Sequence, residues 1–357
     1  MNLLTVALFI SIVLTILCVL LIAVICSQHW FALRQQRRIA EFHKEAEPLM
    51  KAYLSGSASV EEVVSVLKED PLNALRLLAN ISEKLGQEGR GRLHPIFEAF
   101  PFVQKELAAL KGRQRNTRLQ NAELLGYLTD DSAIPALLEA LHDEFLDVRL
   151  AAAHSLARLG CVDAVRPILF ALDAPGDLPE RRVAEALVQL GPRAIPPLLD
   201  VLNSPEASFS ELAAAVRVCG MLRAESAAPR LVELLQHEAI DVRINCVRVL
   251  ASFGNPAAIP PISHLADDPA WEVRNSVMRA LGSMHSRDGI PILLRGLTDS
   301  AWWVRYSAAQ SLYKLGTPGL DALKDTAARH IDRYARDMSR QILQEHSIHL
   351  NAPDSPL

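Results

Sequence analysis

Apolar residues return along most of this chain at intervals of four, four and three. In AWWVRYSAAQSLYKLG (301–316) they are Val304, Ala308, Leu312 and Leu315. The same spacing recurs at Val273, Val277, Leu281 and Met284, at Val242, Cys246, Leu250 and Phe253, and at Val148, Ala152, Leu156 and Leu159. It lines one face of a helix of about 3.6 residues per turn. Gly160, Gly191, Gly254 and Gly316 follow these runs as predicted helix stops, where a positive φ is tolerated. A second apolar run then opens with proline in its first turn, as in AIPALLEAL (133–141), AIPPLLDVL (194–202) and GIPILLRGL (289–297). Proline is accepted there because those N–H groups have no partner within the helix. Asp131, Asp163 and Asp288 stand just upstream as candidate N-caps.

The two runs together form a repeat. Counting back from Arg305 in steps of 31 reaches Arg274 and Arg243, and the register continues through Leu212, Glu180, Arg149 and Arg118. One step, between Glu180 and Leu212, is 32, and one step forward from Arg305 reaches Arg336. Two helices per unit, neither able to bury its apolar face alone, predict a stacked α-solenoid.

The V-R starts at 147–149, 241–243, 272–274 and 303–305, each followed by an AxxxLxxLG-like run, resemble the HEAT-repeat family. The likeness is greatest to its short bacterial branch, which includes phycobilin-lyase-type repeats, and it covers residues 113–344. The resemblance implies an all-α fold, a right-handed α-solenoid of helix pairs with a period of about 31 residues. It also implies an inter-unit ladder, in which an acid ending one unit meets the arginine starting the next. Its candidate rungs are Asp143, Arg149, Arg243, Asp268, Arg274, Asp299 and Arg305, the acids standing six before a mark. The array is expected over 113–346, with a capping helix near 331–346 and a loose tail over 347–357. Residues 57–112 read as helical but leave the register, and are expected to form a divergent amino-terminal cap.

The amino-terminal segment is of another kind. Leu3 to Cys26 carries no charge and, as a helix, would be about 36 Å long against a hydrocarbon core of roughly 30 Å. Trp30 fits an interfacial belt, and Arg34, Arg37 and Arg38 fit the cytoplasmic side. The expectation is one transmembrane helix over about 3–26 within an anchor of 1–33, then a basic juxtamembrane helix or linker over 34–56. The amino terminus would lie outside and the repeats in the cytoplasm of a bacterial inner membrane. A cleaved signal peptide, the competing reading, would want a positive n-region and a shorter apolar core.

Composition narrows the function. Net charge is -4, so no global basic field recruits nucleic acid. The residues 21 after successive marks, Glu139, Phe170, Glu233, His264 and Arg295, are too mixed to neutralise a phosphate backbone. The basic run KGRQRNTR (111–118) reads as a solvated loop at the start of the array. Five cysteines show no metal spacing and read as buried thiols. The single His-Glu dipeptide, His237–Glu238, lies between helices, and His346 and His349 lack partners, so no metal or other cofactor is expected. No P-loop, GxSxG, HExxH or Rossmann glycine pattern is present, and the chain is not expected to be an enzyme.

The resulting expectation is a membrane-anchored HEAT-repeat scaffold that binds a protein partner at the cytoplasmic face and contacts lipid through its anchor. Chains of this layout resemble bacterial accessory proteins of envelope or polysaccharide-synthesis machinery. The alternative that the resemblance implies is an enzyme subunit of the phycobilin-lyase type. Trp302 shares its slot with Trp271, Ile240 and Leu146, and is expected to pack between units. Trp303 stands where other units carry Asp147, Asp241 and Glu272, acids well placed at a helix N-terminus, and is the candidate partner anchor.

Overall fold

The computed structural model describes residues 38–99, 107–127, 131–171 and 180–346, together with Leu21, Trp30 and Arg34. The chain divides into two compact units, Met1–Ala133 and Ile134–Leu357.

In the first unit, residues 38–54 are helical (α1). Phe42, Ala46 and Met50, spaced by four, are all buried, so this segment is a packed helix rather than a linker. It is followed by α2 (Val60–Leu67), α3 (Pro71–Arg90) and α4 (His94–Ala99), and later by α5 (Arg115–Leu125). Ser59 and Glu62 cap α2 reciprocally, each side chain accepting from the other's backbone N–H. Tyr53 Oη donates to the Arg92 carbonyl at 2.8 Å, tying the end of α1 to the turn before α4. Val63, Val64 and Leu67 of α2 join Leu75, Leu78, Leu93 and Ile96 among the buried side chains. The expected membrane span, 3–26, lies outside the described residues apart from Leu21. Among the described residues no helix is long and apolar enough to cross a membrane.

The second unit alternates two kinds of helix. The first kind comprises α7 (Leu146–Arg158), α9 (Glu180–Val188), α11 (Phe209–Met221), α13 (Ile240–Phe253), α15 (Trp271–Ser283) and α17 (Trp302–Lys314). Between them run the shorter α6 (Ile134–Ala140), α8 (Val165–Phe170), α10 (Ile195–Asn203), α12 (Ala228–Leu234), α14 (Ile259–His264) and α16 (Ile290–Gly296). The longer α18 (Thr317–Arg329) and α19 (Arg333–Glu345) close the array. Consecutive first-kind helices pack side by side, and each also packs on the second-kind helix before it. No strand occurs among the described residues.

The apolar period explains this stacking. Val242 and Cys246, Val273 and Val277, and Val304 and Ala308 are wholly buried, as are Leu281 and Leu312 at the third position. The fourth position is half-buried at Leu159, Met284 and Leu315. First helices approach so closely that a Cβ on Gly282 would lie 2.5 Å from the Ser311 Cβ. Each first helix closes on a left-handed residue eleven after its mark. Gly160, Gly191, Gly254 and Gly316 have φ between 62° and 75°, and Arg223 and His285 hold the same slot at 52° and 50°.

The second helices start differently from the sequence expectation. A short 3-10 turn precedes each, and the cap is Ala164, Ala194, Ala227, Ala258 or Gly289, without a side-chain bond. Asp163 and Asp288 lie inside these turns and do not cap the helices. The capping oxygens belong instead to Asn255 and Ser286, which accept from the second N–H of their 3-10 turns.

Candidate functional site

The marks of the repeat perform one local task. Arg118, Arg149, Arg243, Arg274, Arg305 and Arg336 each turn back along their own chain. Each Nη1 donates to the carbonyl six residues earlier, at 2.7–3.0 Å. Each also reaches the carbonyl five residues earlier. These carbonyls belong to the turn entering the helix, which has no helical partner for them. Arg118 is therefore a buried part of the architecture and does not belong to a solvated basic loop.

The rest of the guanidinium makes the ladder. Arg243 Nε and Nη2 donate to Asp268 Oδ2 and Oδ1 at 2.8 and 2.9 Å. Arg274 does the same to Asp299, at 2.7 and 2.8 Å. Both pairs are bidentate, the strongest arrangement open to these side chains. The register differs from the expected one. The carboxylate that each arginine grips lies 25 residues after it, at the far end of the same unit. The neighbouring unit is reached through the carbonyl of that acid: Asp268 O accepts from Arg274, and Asp299 O from Arg305. Each acid also accepts a backbone N–H two residues on, from Ala270 or Ala301, as Asp143 does from Phe145.

Burial pushes the Asp299 carboxyl upward, but the Arg274 fork and the Ala301 N–H outweigh it and hold it below the ordinary range. The hydrogen bond to Asp299 raises Arg274 in turn. The ladder ends at Arg305. Residue 330 is His, whose Nδ1 accepts from Asp332 N, and Arg305 Cζ lies 5.0 Å above the Tyr334 ring. Among the described residues Arg305 Nε has no hydrogen-bond partner.

Around this terminus the aromatic residues are exposed. Trp303 is 56% exposed and meets Trp302 edge-on, with ring centroids 4.8 Å apart. Trp302 stacks on Tyr306 at 5.0 Å and is itself 42% exposed. The expectation that Trp302 packs between units is thereby corrected. In the same slot, three before the mark, Trp271 (38%), Ile240 (43%) and Phe209 (53%) are exposed too, and Leu146 is half-buried. The sequence comparison of slots found the row, but the assumption that large means buried misplaced it.

Three of the four residues expected at a membrane interface fall within the described structure with a partner. Arg34 Cζ lies 5.1 Å over the Trp30 ring, and Arg38 reaches Asp70 at 3.4 Å. Arg37 lies outside the described residues. Among the described residues no group of three or more His, Cys, Asp or Glu side chains could hold a metal ion. His237 caps the chain locally by accepting from Ala239 N, and His346 stacks on Tyr313. Burial pushes the thiols of Cys219 and Cys246 up to about 12. Thiols so shifted are poor nucleophiles at neutral pH.

Stacked pairs of helices, closed by arginine forks at a fixed register, define the class: an α-solenoid. Three stretches, 103–189, 195–281 and 261–344, match the HEAT-repeat family model, and 180–204 matches the PBS lyase HEAT-like repeat. The chain belongs to the HEAT-repeat family. No curated protein matches it. Among solved structures it is similar to YibA of Escherichia coli, with 16% identity, a TM-score of 0.40, and 71% of this chain and 95% of that one covered. It is also similar to the CpcE–CpcF complex of phycocyanin lyase from Nostoc, with 19% identity, a TM-score of 0.32, and coverages of 69% and 94%. For human deoxyhypusine hydroxylase the values are 18%, 0.31, 87% and 98%.

Proposed function

We propose that this chain is a scaffold that holds a protein partner at the cytoplasmic face of a bacterial inner membrane, within an envelope or polysaccharide-synthesis assembly. The observation that carries the reading is Trp303. It occupies a slot that elsewhere favours an acid, gives up that stabilisation, and stands exposed beside Trp302 at the end of the ladder. Large exposed aromatics of this kind are the residues from which binding energy is most often built. The uncharged segment from Leu3 to Cys26 and the cationic residues after it support an anchor, which would concentrate the repeats near other membrane proteins.

Crosslinking in cells, followed by purification in mild detergent, tests the reading. Trp303→Asp is expected to abolish recovery of a reproducible membrane-associated partner while leaving the melting temperature unchanged. Failure to recover any such partner with the unaltered chain would overturn the scaffold, and a large drop in melting temperature would make Trp303 a core residue. A protease added outside spheroplasts is expected to leave the repeats uncut; cleavage there would overturn the cytoplasmic placement. The match of 180–204 to the PBS lyase repeat supports a second reading, a subunit of the phycobilin-lyase type. That reading requires chromophore binding, which a bilin absorbance titration of the purified chain would detect.

A further inference from the structure

Four neighbouring first helices carry an exposed apolar track, and three of them carry a parallel basic one. The apolar track lies three before each mark, at Phe209, Ile240, Trp271 and Trp302. The basic track lies five after it, at Arg217, Arg248 and Arg279. Within one helix the two positions are eight residues apart, or about 12 Å at 1.5 Å per residue, and they share a face. Between them lie half-buried Ile244 and Asn275, so α13 and α15 each read apolar, floor, arginine from the start.

The basic track is paired within the fold only at Arg217 among the described residues. Arg217 donates to Glu180 at 3.0 Å, but Arg248 and Arg279 make no hydrogen bond or ion pair among the described residues. Desolvation lowers the affinity of Arg248 for its proton, and the like charges of Arg279 and Arg217 lower it further, with only Asp241 opposing. Like charges aligned across neighbouring helices repel, and an anionic partner turns that repulsion into attraction. Asp241 and Glu272 stand beside the apolar track, so carboxylates are favoured only along the arginine side.

We infer that this surface docks an acidic amphipathic helix of a protein partner, laid across α11, α13, α15 and α17. Packed helices lie about 8–10 Å apart, and residues i and i+7 of a docked helix lie about 10.5 Å apart, so one apolar side chain per heptad meets one repeat unit. A helix about 10–12 Å wide spans the distance between the tracks, with its apolar edge on Trp271 and its acidic edge on Arg248 and Arg279. The inference rests on the scaffold reading and specifies the chemistry of the partner.

The test uses the full chain in detergent micelles and a fluorescein-labelled 22-residue helical peptide. The peptide carries Leu at every seventh position and Glu along one flank. Its anisotropy is expected to report binding that weakens as salt is raised, that weakens at least tenfold in Arg248→Glu/Arg279→Glu, and that weakens in Trp271→Ala. These side chains are exposed, so the melting temperature is expected to hold. Equal binding of a peptide with Lys for Glu, or no effect of the double variant, would overturn the inference. Loss of binding to phosphatidylserine vesicles with unchanged peptide binding would make the surface a lipid contact instead. If the double variant still captures its partner in cells while Trp303→Asp does not, the scaffold reading stands and this surface fails.

Discussion

The rungs at Arg243 and Arg274 and the rung at Arg305 start from the same side chain in the same slot, and they end differently. In the first two, one guanidinium satisfies two carbonyls of the entering turn and both oxygens of a carboxylate. At Arg305 the carbonyl contacts persist, but the acid is replaced by His330 and the guanidinium lies over Tyr334. The carbonyl contacts belong to every arginine-marked unit and fix the start of a helix. The carboxylate fork is made in the units of Arg243 and Arg274, by Asp268 and Asp299. Where the array stops, the same arginine is left with an aromatic face, and exposed Trp302 and Trp303 gather in the first turn of its helix.

Breaking a complete rung should therefore cost more than anything done at the terminal one. Asp268→Ala leaves the buried guanidinium of Arg243 without its carboxylate, and is expected to destabilise the fold by about 3 kcal/mol. Chemical denaturation would show it as a lower midpoint at an unchanged slope. A loss under about 0.5 kcal/mol would reduce the rung to a surface ion pair.

The second complete rung can be tested with protons. The folded carboxyl of Asp299 is held below the ordinary aspartate pKa of about 3.9, so the unfolded chain binds the proton more tightly than the folded one. Its contribution to stability is full above that value and is lost as pH falls through the lower, folded one. Asp299→Asn should thus be less stable than the unaltered chain at pH 7, and the gap should narrow as pH falls below the ordinary aspartate range. A gap that does not change between pH 7 and pH 2 would sink this account.

Restoring the acid sharpens the comparison from the other side. His330→Asp places a carboxylate 25 after Arg305, where Asp268 and Asp299 stand relative to their own arginines. It can keep the bond to Asp332 N that His330 now accepts, and it offers Arg305 Nε the partner it lacks. The expected gain is about 1 kcal/mol, less than the loss at Asp268 because the terminal site is more exposed. A destabilised variant would show that the Tyr334 contact is the preferred end.

How far this was legible in the sequence follows from what periodicity records. The four-four-three apolar pattern is a record of burial, so the helix pairs, their 31-residue register and the glycine stops could be read directly. The arginines and aspartates of the ladder could be found by the same counting. Which acid meets which arginine could not, because Asp268 is near Arg274 in sequence and meets Arg243 only when the second helix has brought the chain back. The exposed row was misjudged for another reason. A slot filled by Leu146, Ile240, Trp271 and Trp302 looks like core by composition, but on the packed helices the last three turn outward. The capping box Ser208–Glu211 falls in the unit whose mark is Leu212, where no arginine can hold the turn.

The smallest effect concerns the left-handed slot that closes each first helix. Four units fill it with glycine, while Arg223 and His285 hold φ of 52° and 50° at a cost that glycine escapes. His285→Gly relieves that strain but frees the unfolded chain, so the net gain should be only about 0.5 kcal/mol. Gly254→Ala, made in the neighbouring unit at φ 71°, imposes the strain and should lose about 1 kcal/mol. The two substitutions move a side chain in opposite directions through one backbone conformation, so their melting temperatures should move in opposite directions as well. Movement in the same direction would mean that the histidine side chain has a packing role that outweighs the backbone.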